Sequence, residues 1–267
     1  MIILVLNSGS SSLKYQLIDT SDDNVLAKGN FERIGQKNAF LTHKVGETKH
    51  KFELDVENHE MALNVIISKL TSKSCGVISG IDKIDAIGHR VVHGGSDFTS
   101  SVLVDENVIK KLEENVNLAP LHNPSAIAGI KACMEIMPDK PNVTAFDTAF
   151  HQTIPEERYI YPIPYKYYEK YKIRKYGFHG ISHQYVANRV AQLKNVTAKS
   201  LKIVNCHLGQ GASICAILNG KSVDTSMGLT PLGGIPMGTR SGDLDPSVVT
   251  YIMEKENIES KEMENIL

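Results

Sequence analysis

Several stretches of this chain set charged or polar side chains beside glycine, the arrangement that lets a backbone approach an anion. In Asn7-Ser8-Gly9-Ser10-Ser11-Ser12-Leu13-Lys14 the glycine permits a tight turn, hydroxyls and N–H groups can surround phosphate oxygens, and Lys14 adds a point charge. The spacing is not that of a P-loop, and the run reads equally as a solvated serine turn. In Gly88-His89-Arg90-Val91-Val92-His93-Gly94-Gly95 an arginine and two histidines end an apolar run, where cleft residues of α/β sheets collect. Arg90 can fork onto a carboxylate or phosphate, or it caps a surface; the histidines read as structural.

Leu121-His122-Asn123-Pro124 precedes a helix start, Asp147 ends an apolar run, and His179 lies in Gly177-Phe178-His179-Gly180-Ile181-Ser182-His183. His179 and His183 are four apart, as in a zinc pair, but no glutamate follows His179 and Gly180 weakens a helix there, so zinc is not expected. Cys206-His207-Leu208-Gly209-Gln210-Gly211-Ala212 matches Leu6 to Ser12 in placing glycine and polar groups between two strands. In Pro236-Met237-Gly238-Thr239-Arg240-Ser241-Gly242-Asp243-Leu244-Asp245-Pro246, Arg240 is flanked by small residues that leave it open to a ligand. The alternative pairs it with Asp243 or Asp245 at a surface.

The elements that must position these residues follow from periodicity. A continuous apolar run predicts a strand over Ile2 to Leu6, and further strand-like segments lie over Leu13 to Ile18, Val25 to Arg33, Ala39 to Val45 and Lys49 to Leu54. Helical spacing begins at His59, a strand returns over Ile84 to Val92, and helices follow after Asp105 and over Ser125 to Met137. Val143 to Asp147 closes this half as a strand, which predicts a mixed α/β domain spanning 1–149. The second half, 150–267, predicts a helix through Leu193 and then strands over Lys202 to His207 and Ser213 to Leu218, with Asn219-Gly220 as a hairpin turn. The repeated strand, small turn and strand predicts two domains of similar fold, each offering an anion-binding turn.

With 267 residues, 42% hydrophobic and 22% charged, there is enough apolar material for two such domains. A net charge of -1 gives no general attraction to nucleic acid or an anionic membrane, and a small-molecule partner is expected. Four widely spaced cysteines without a Cys-x-x-Cys pair suit reduced thiols, and no apolar run has the length of a signal or membrane segment, so a cytoplasmic location is expected.

Taken jointly, Asn7 to Lys14, Gly88 to Gly95, Leu121 to Pro124, Phe146 to His151, Gly177 to His183, His207 to Ser213 and Gly238 to Asp243 resemble, in order and spacing, the signature segments of the acetate kinase family. The resemblance covers the whole chain. It implies two duplicated ribonuclease H-like (actin-like ATPase) domains, the first binding acetate and the second, incomplete here, the nucleotide. By the resemblance Asn7 helps hold Mg²⁺ (or Mn²⁺), Ser10, Ser12 and Lys14 line the phosphate side, and Arg90 binds the carboxylate beside a pocket of Val92, Leu121 and Pro231. His122, His179 and Arg240 would surround the transferring phosphoryl group, Asp147 would be the catalytic aspartate, and His207, Leu208, Gly209, Gln210 and Gly211 would meet ATP. A homodimer is also implied.

Family members run longer, so C-terminal truncation is expected, with the later nucleotide-binding segments missing. Gln210 stands where the family has asparagine. Two alternatives stand beside acetate kinase: an inactive or complementation-dependent fragment of one, and a propionate or butyrate kinase.

Overall fold

Alternation from Ile2 onward turns one row of side chains toward a core and the other away, and this decides what each face of the first sheet can do. In the computed structural model, which describes residues 1–120 and 122–267, the chain divides into two compact units, Met1–Phe146 and Asp147–Leu267.

The first unit opens with an antiparallel run, β1 (Ile2–Gly9), β2 (Ser12–Asp19), β3 (Asn24–Glu32), β4 (Phe40–Val45) and β5 (Thr48–Glu53). Helix α1 (His59–Leu70) leads to β6 (Ala86–Val91), which lies parallel to β1. A short strand that the periodicity does not reveal, β7 (Val102–Leu103), precedes α2 (Glu106–Glu114), α3 (Asn123–Ile136) and β8 (Asn142–Phe146). The eight strands order as β5-β4-β3-β2-β1-β6-β8-β7, with β6 and β8 parallel and β7 antiparallel at the edge. This is the mixed α/β architecture that the sequence predicts.

Leu4 and Leu6 of β1, Leu13 and Leu17 of β2, and Ile87 of β6 bury against Leu63, Ile66 and Leu70 of α1 and Ala132 and Cys133 of α3. The opposite face therefore receives the intervening residues, Asn7, Lys14 and Arg90 among them. The side chain of Asn58 caps α1 through the N–H of Met61, and Asp105 caps α2 through that of Val108 at 2.8 Å. Asp105→Ala should cost about 1 kcal/mol, seen as a lower urea midpoint with an unchanged slope.

The second unit carries α4 (Glu156–Tyr159), α5 (Lys166–Tyr171) and α6 (Gly180–Leu193), then the antiparallel strands β9 (Lys202–Leu208), β10 (Ala212–Leu218) and β11 (Lys221–Thr225) in the order β11-β10-β9. Asn219 and Gly220 both take positive φ in the β10–β11 hairpin, the conformation their residue types favour. Ala187 of α6 packs with Phe150, Cys215 and Ile217. Two further helices follow, α7 (Pro246–Glu256), started by Pro246 and an Asp245 cap, and α8 (Ser260–Ile266). Among the described residues no helix is long and apolar enough to cross a membrane.

Candidate active site

In the first unit the serine-rich segment is tighter than its composition suggests. The ladder runs on through Asn7↔Lys14, Ser8↔Leu13 and Gly9↔Ser12, so only Ser10 and Ser11 form the turn. The cause is backbone pairing: once β1 and β2 are in register, extending the ladder satisfies more main-chain groups than a wide loop would. What the segment offers is a strand end with Asn7 and Lys14 side by side, and hydroxyls from Ser10 and Ser12 beyond them. His59, the first residue of α1, holds this end by a 2.7 Å hydrogen bond between its Nε2 and the carbonyl of Gly9.

Arg90 of β6 donates from Nη1 to Asn7 Oδ1 at 3.2 Å, joining two candidate residues of neighbouring strands. Asn7 and Lys14 also line a trough of about 490 Å³ with Lys28, Lys44 and Lys49. Beyond β6, half-buried Val92 enters a loop that Asn123 clamps: the His93 N–H donates to Asn123 Oδ1 at 3.3 Å, and Asn123 Nδ2 donates to the His93 carbonyl at 2.9 Å. Asn123 also starts α3, so this clamp ties the loop to the exposed His122 at the helix entrance. Leu121 lies outside the described residues.

His89 and His93 are structural. His89 Nε2 meets Asn142 Oδ1 at 2.8 Å and His93 Nδ1 accepts the Gly95 N–H at 3.0 Å. Burial pushes both imidazoles down to about 4.

In the second unit Asp147 is 2% exposed, and its carbonyl accepts the N–H of Gly180 at 2.8 Å. A side chain at Gly180 would strike that same carbonyl, so the close approach of α6 requires glycine. The preceding His179 takes a left-handed conformation, φ 57°. Its ring stacks on His207 at 4.0 Å, and Ser182 Oγ meets His207 Nδ1 at 2.9 Å.

The β9–β10 turn is Gly209-Gln210-Gly211, with Leu208 73% exposed. A Cβ built on Gly211 would lie 3.3 Å from Arg240 Nη1 and 3.4 Å from His179 Nε2, so nitrogens from two distant segments flank one point beside the turn. Arg240 is held by the Pro231 carbonyl at 3.2 Å and the Met237 thioether at 3.7 Å, not by the nearby aspartates. Asp243 instead accepts the Gly234 N–H at 2.7 Å, and Asp245 caps α7. The arginine is therefore positioned without being neutralised.

His151 is fully buried between Ser222 Oγ at 2.8 Å and the Phe178 carbonyl at 2.9 Å, and burial lowers it to about 4. Behind His179 stand Ser213, His183 and Asn205, for which sequence reading supplied no role; the one available signal was that Asn205 and His207, two apart on β9, must share a face. Among the described residues no cluster of three or more His, Cys, Asp or Glu side chains could hold a metal by itself.

A sequence model described as the acetokinase family matches residues 2–267. The chain is 58% identical over its whole length to the acetate kinase of Thermoanaerobacterium thermosaccharolyticum, covering 67% of that protein, and 57% identical over 99% of its length to that of Clostridium acetobutylicum, covering 66%. It thus spans about two thirds of the length of the curated relatives it matches. Among solved structures, the Porphyromonas gingivalis acetate kinase aligns with a TM-score of 0.96 at 44% identity, over 98% of this chain and 66% of that one. A Francisella tularensis propionate kinase aligns at 0.92 with 43% identity, over 100% of this chain and 67% of that one. A match to the family's sequence pattern over residues 2–267, and to a relative's backbone over 98% of this chain, leads to one conclusion: the chain belongs to the acetokinase family.

Proposed function

We propose that this chain is the acetate- and phosphoryl-binding part of an acetate kinase, which transfers a phosphoryl group reversibly between ATP and acetate. The observation that carries this reading is the pair of nitrogens, Arg240 Nη1 and His179 Nε2, flanking one point against the Gly209 to Gly211 turn. An acetate oxygen attacks the γ-phosphorus, the bond to the β,γ-bridging oxygen breaks, and acetyl phosphate and ADP result. Two anions must meet, so the barrier is largely electrostatic, and fixed cationic or N–H donors lower it. Acetate is already ionised at neutral pH and needs no general base.

In this reading residues 1–149 bind acetate and 150–267 begin the nucleotide-binding domain. Arg90 takes the carboxylate, Val92, Leu121 and Pro231 limit the acyl chain, and His122, His179 and Arg240 receive the phosphoryl oxygens. Ser10, Ser12, Lys14 and residues 207–211 meet the ATP phosphates. Asp147, buried beside the start of α6, is the catalytic aspartate of this reading: it would position an arginine or a water held by the metal, and it does not act as a base. Mg²⁺ typically keeps several waters and binds through few protein oxygens plus substrate phosphates. Asn7, whose side-chain oxygen accepts from Arg90 at 3.2 Å and keeps a second lone pair, fits as such a single neutral ligand. The metal would supply charge neutralisation on the phosphates. The assembly is proposed to be a homodimer.

The reading is tested by incubating the chain with ATP, Mg²⁺ and acetate, propionate or butyrate, and trapping acyl phosphate as the hydroxamate. Acetate should give the most product. No product from any acid, alone or with the remaining third of a relative's chain added in trans, would overturn it. Arg90→Ala should raise the KM for acetate more than that for ATP, because it removes substrate binding and leaves the phosphate donors in place. Equal changes in both constants would contradict the assignment.

A further inference from the structure

Behind His179 lies a chain of hydrogen bonds that reaches through the second unit. Ser213 Oγ lies 2.9 Å from His179 Nδ1 and 2.8 Å from His183 Nε2, and Asn205 Nδ2 lies 2.8 Å from His183 Nδ1. The links come from three elements: His183 from α6, one helical turn beyond His179, Asn205 from β9 and Ser213 from β10. Ser213 and His183 are fully buried and Asn205 is 8% exposed.

We infer that Asn205, His183 and Ser213 are positioning residues that set the tautomer of His179, so that its Nε2 carries the hydrogen. The inference rests on the kinase reading for its consequence, on the three distances for its connectivity, and on the Asn205 amide, whose nitrogen faces His183, for its direction. An amide nitrogen only donates, so His183 Nδ1 must be the acceptor and its hydrogen must sit on Nε2. That Nε2–H donates to Ser213 Oγ, which leaves the single hydroxyl hydrogen of Ser213 for His179 Nδ1. His179 Nδ1 then accepts, and its own hydrogen is on Nε2.

His183 supports one fixed polarity because it stays neutral: burial, and secondarily the neighbouring His151, His179 and His207, push it down to about 3. The consequence falls on the point beside Gly211. With the hydrogen on Nε2, His179 offers a donor there beside Arg240; with the other tautomer it would turn a lone pair toward phosphoryl oxygen and repel it. A packing role alone would ask nothing of the direction in which these bonds run.

Direction is what the test reads. Nitrogen-15 histidine NMR of the whole 267-residue chain should show both His179 and His183 as Nε2–H tautomers. Asn205→Asp, close in shape, replaces the donor by an acceptor and should reverse the chain: His183 moves its hydrogen to Nδ1, Ser213 donates to His183, and His179 becomes Nδ1–H. In that variant kcat should fall about 10²-fold, the scale of losing one preorganised donor, with little change in the KM for acetate. Ser213→Thr keeps the hydroxyl and should retain the wild-type tautomers.

Should Asn205→Asp fail to fold, Ser213→Ala serves, and His179 should then show a mixture of tautomers. An Nδ1–H His179 in the wild type, an unchanged His179 signal in Asn205→Asp, or a pure Nε2–H signal in Ser213→Ala would each overturn the inference. Failure of the kinase reading looks different: the expected tautomers with no acyl phosphate formed.

Discussion

Arg240→Ala is expected to lower kcat by about 10³ or more, the scale on which arginine fingers act, while leaving the fold intact. The size follows from how the guanidinium is held. Its contacts are a carbonyl and a thioether, Pro231 and Met237, which orient a cation without spending its charge on a carboxylate. The two aspartates that the sequence places nearby are engaged elsewhere, one with the Gly234 N–H and one at the start of α7. Truncation therefore removes a positive charge from the point beside Gly211 and breaks no ion pair, so the effect should appear in turnover and not in the melting temperature. Arg240→Lys should recover only part of the loss, since a single ammonium cannot reproduce the planar fork. Steady-state kinetics together with a thermal melt checks this; near-normal kcat in Arg240→Ala would remove Arg240 from the phosphoryl-transfer role.

The second large effect is on stability in acid. His89, His93 and His151 sit buried with pKa values pushed down to about 4, and His183 to about 3, desolvation being the first cause in each case. An unfolded histidine takes up its proton near 6.5, whereas these native rings stay neutral until far lower pH. Between those limits the unfolded state binds more protons, so stability is fully present above about 6.5 and is lost as the pH falls toward about 4. Each ring depressed to about 4 accounts for a loss on the order of 3 kcal/mol across that window. Several acting together rival the whole stability of a typical domain, about 5–15 kcal/mol. The denaturant midpoint should thus fall steeply between pH 7 and pH 5, and His151→Gln or His183→Gln should flatten that slope even if it lowers stability at pH 7. A midpoint that stays constant from pH 7 to pH 5 would contradict the buried, neutral state of these rings.

The order of strands and helices was legible in the sequence for β1 to β6, α1 to α3, β8, α6, β9 and β10, because it depends on near neighbours; α4, α5, α7 and α8 were not read. The apolar run from Ile2, the alternation from Leu13 to Ile18, helical spacing from His59, the helix start after Asp105 and the Asn219-Gly220 turn all act within a few residues. The two-residue strand β7 escaped because it has too few positions to show a period; it exists only through its pairing with β8. The serine-rich turn was read as wider than it is, since composition reports which residues tolerate a turn and not how far the ladder between β1 and β2 runs.

By itself, then, the sequence determined the chemistry available, glycine-backed turns with arginine and histidine beside them, and the alternation that keeps Asn7, Lys14 and Arg90 off the apolar face. Tertiary structure decided which of those groups meet. Arg90 reaches Asn7 across 83 positions, His183 reaches Ser213 across 30, and Asn205 reaches His183 across 22. Contacts at such separations are created when distant strands pair or helix packs on sheet, and local spacing carries no record of them; the direction of the hydrogen bonds behind His179 exists only once Asn205, His183 and Ser213 are enclosed together.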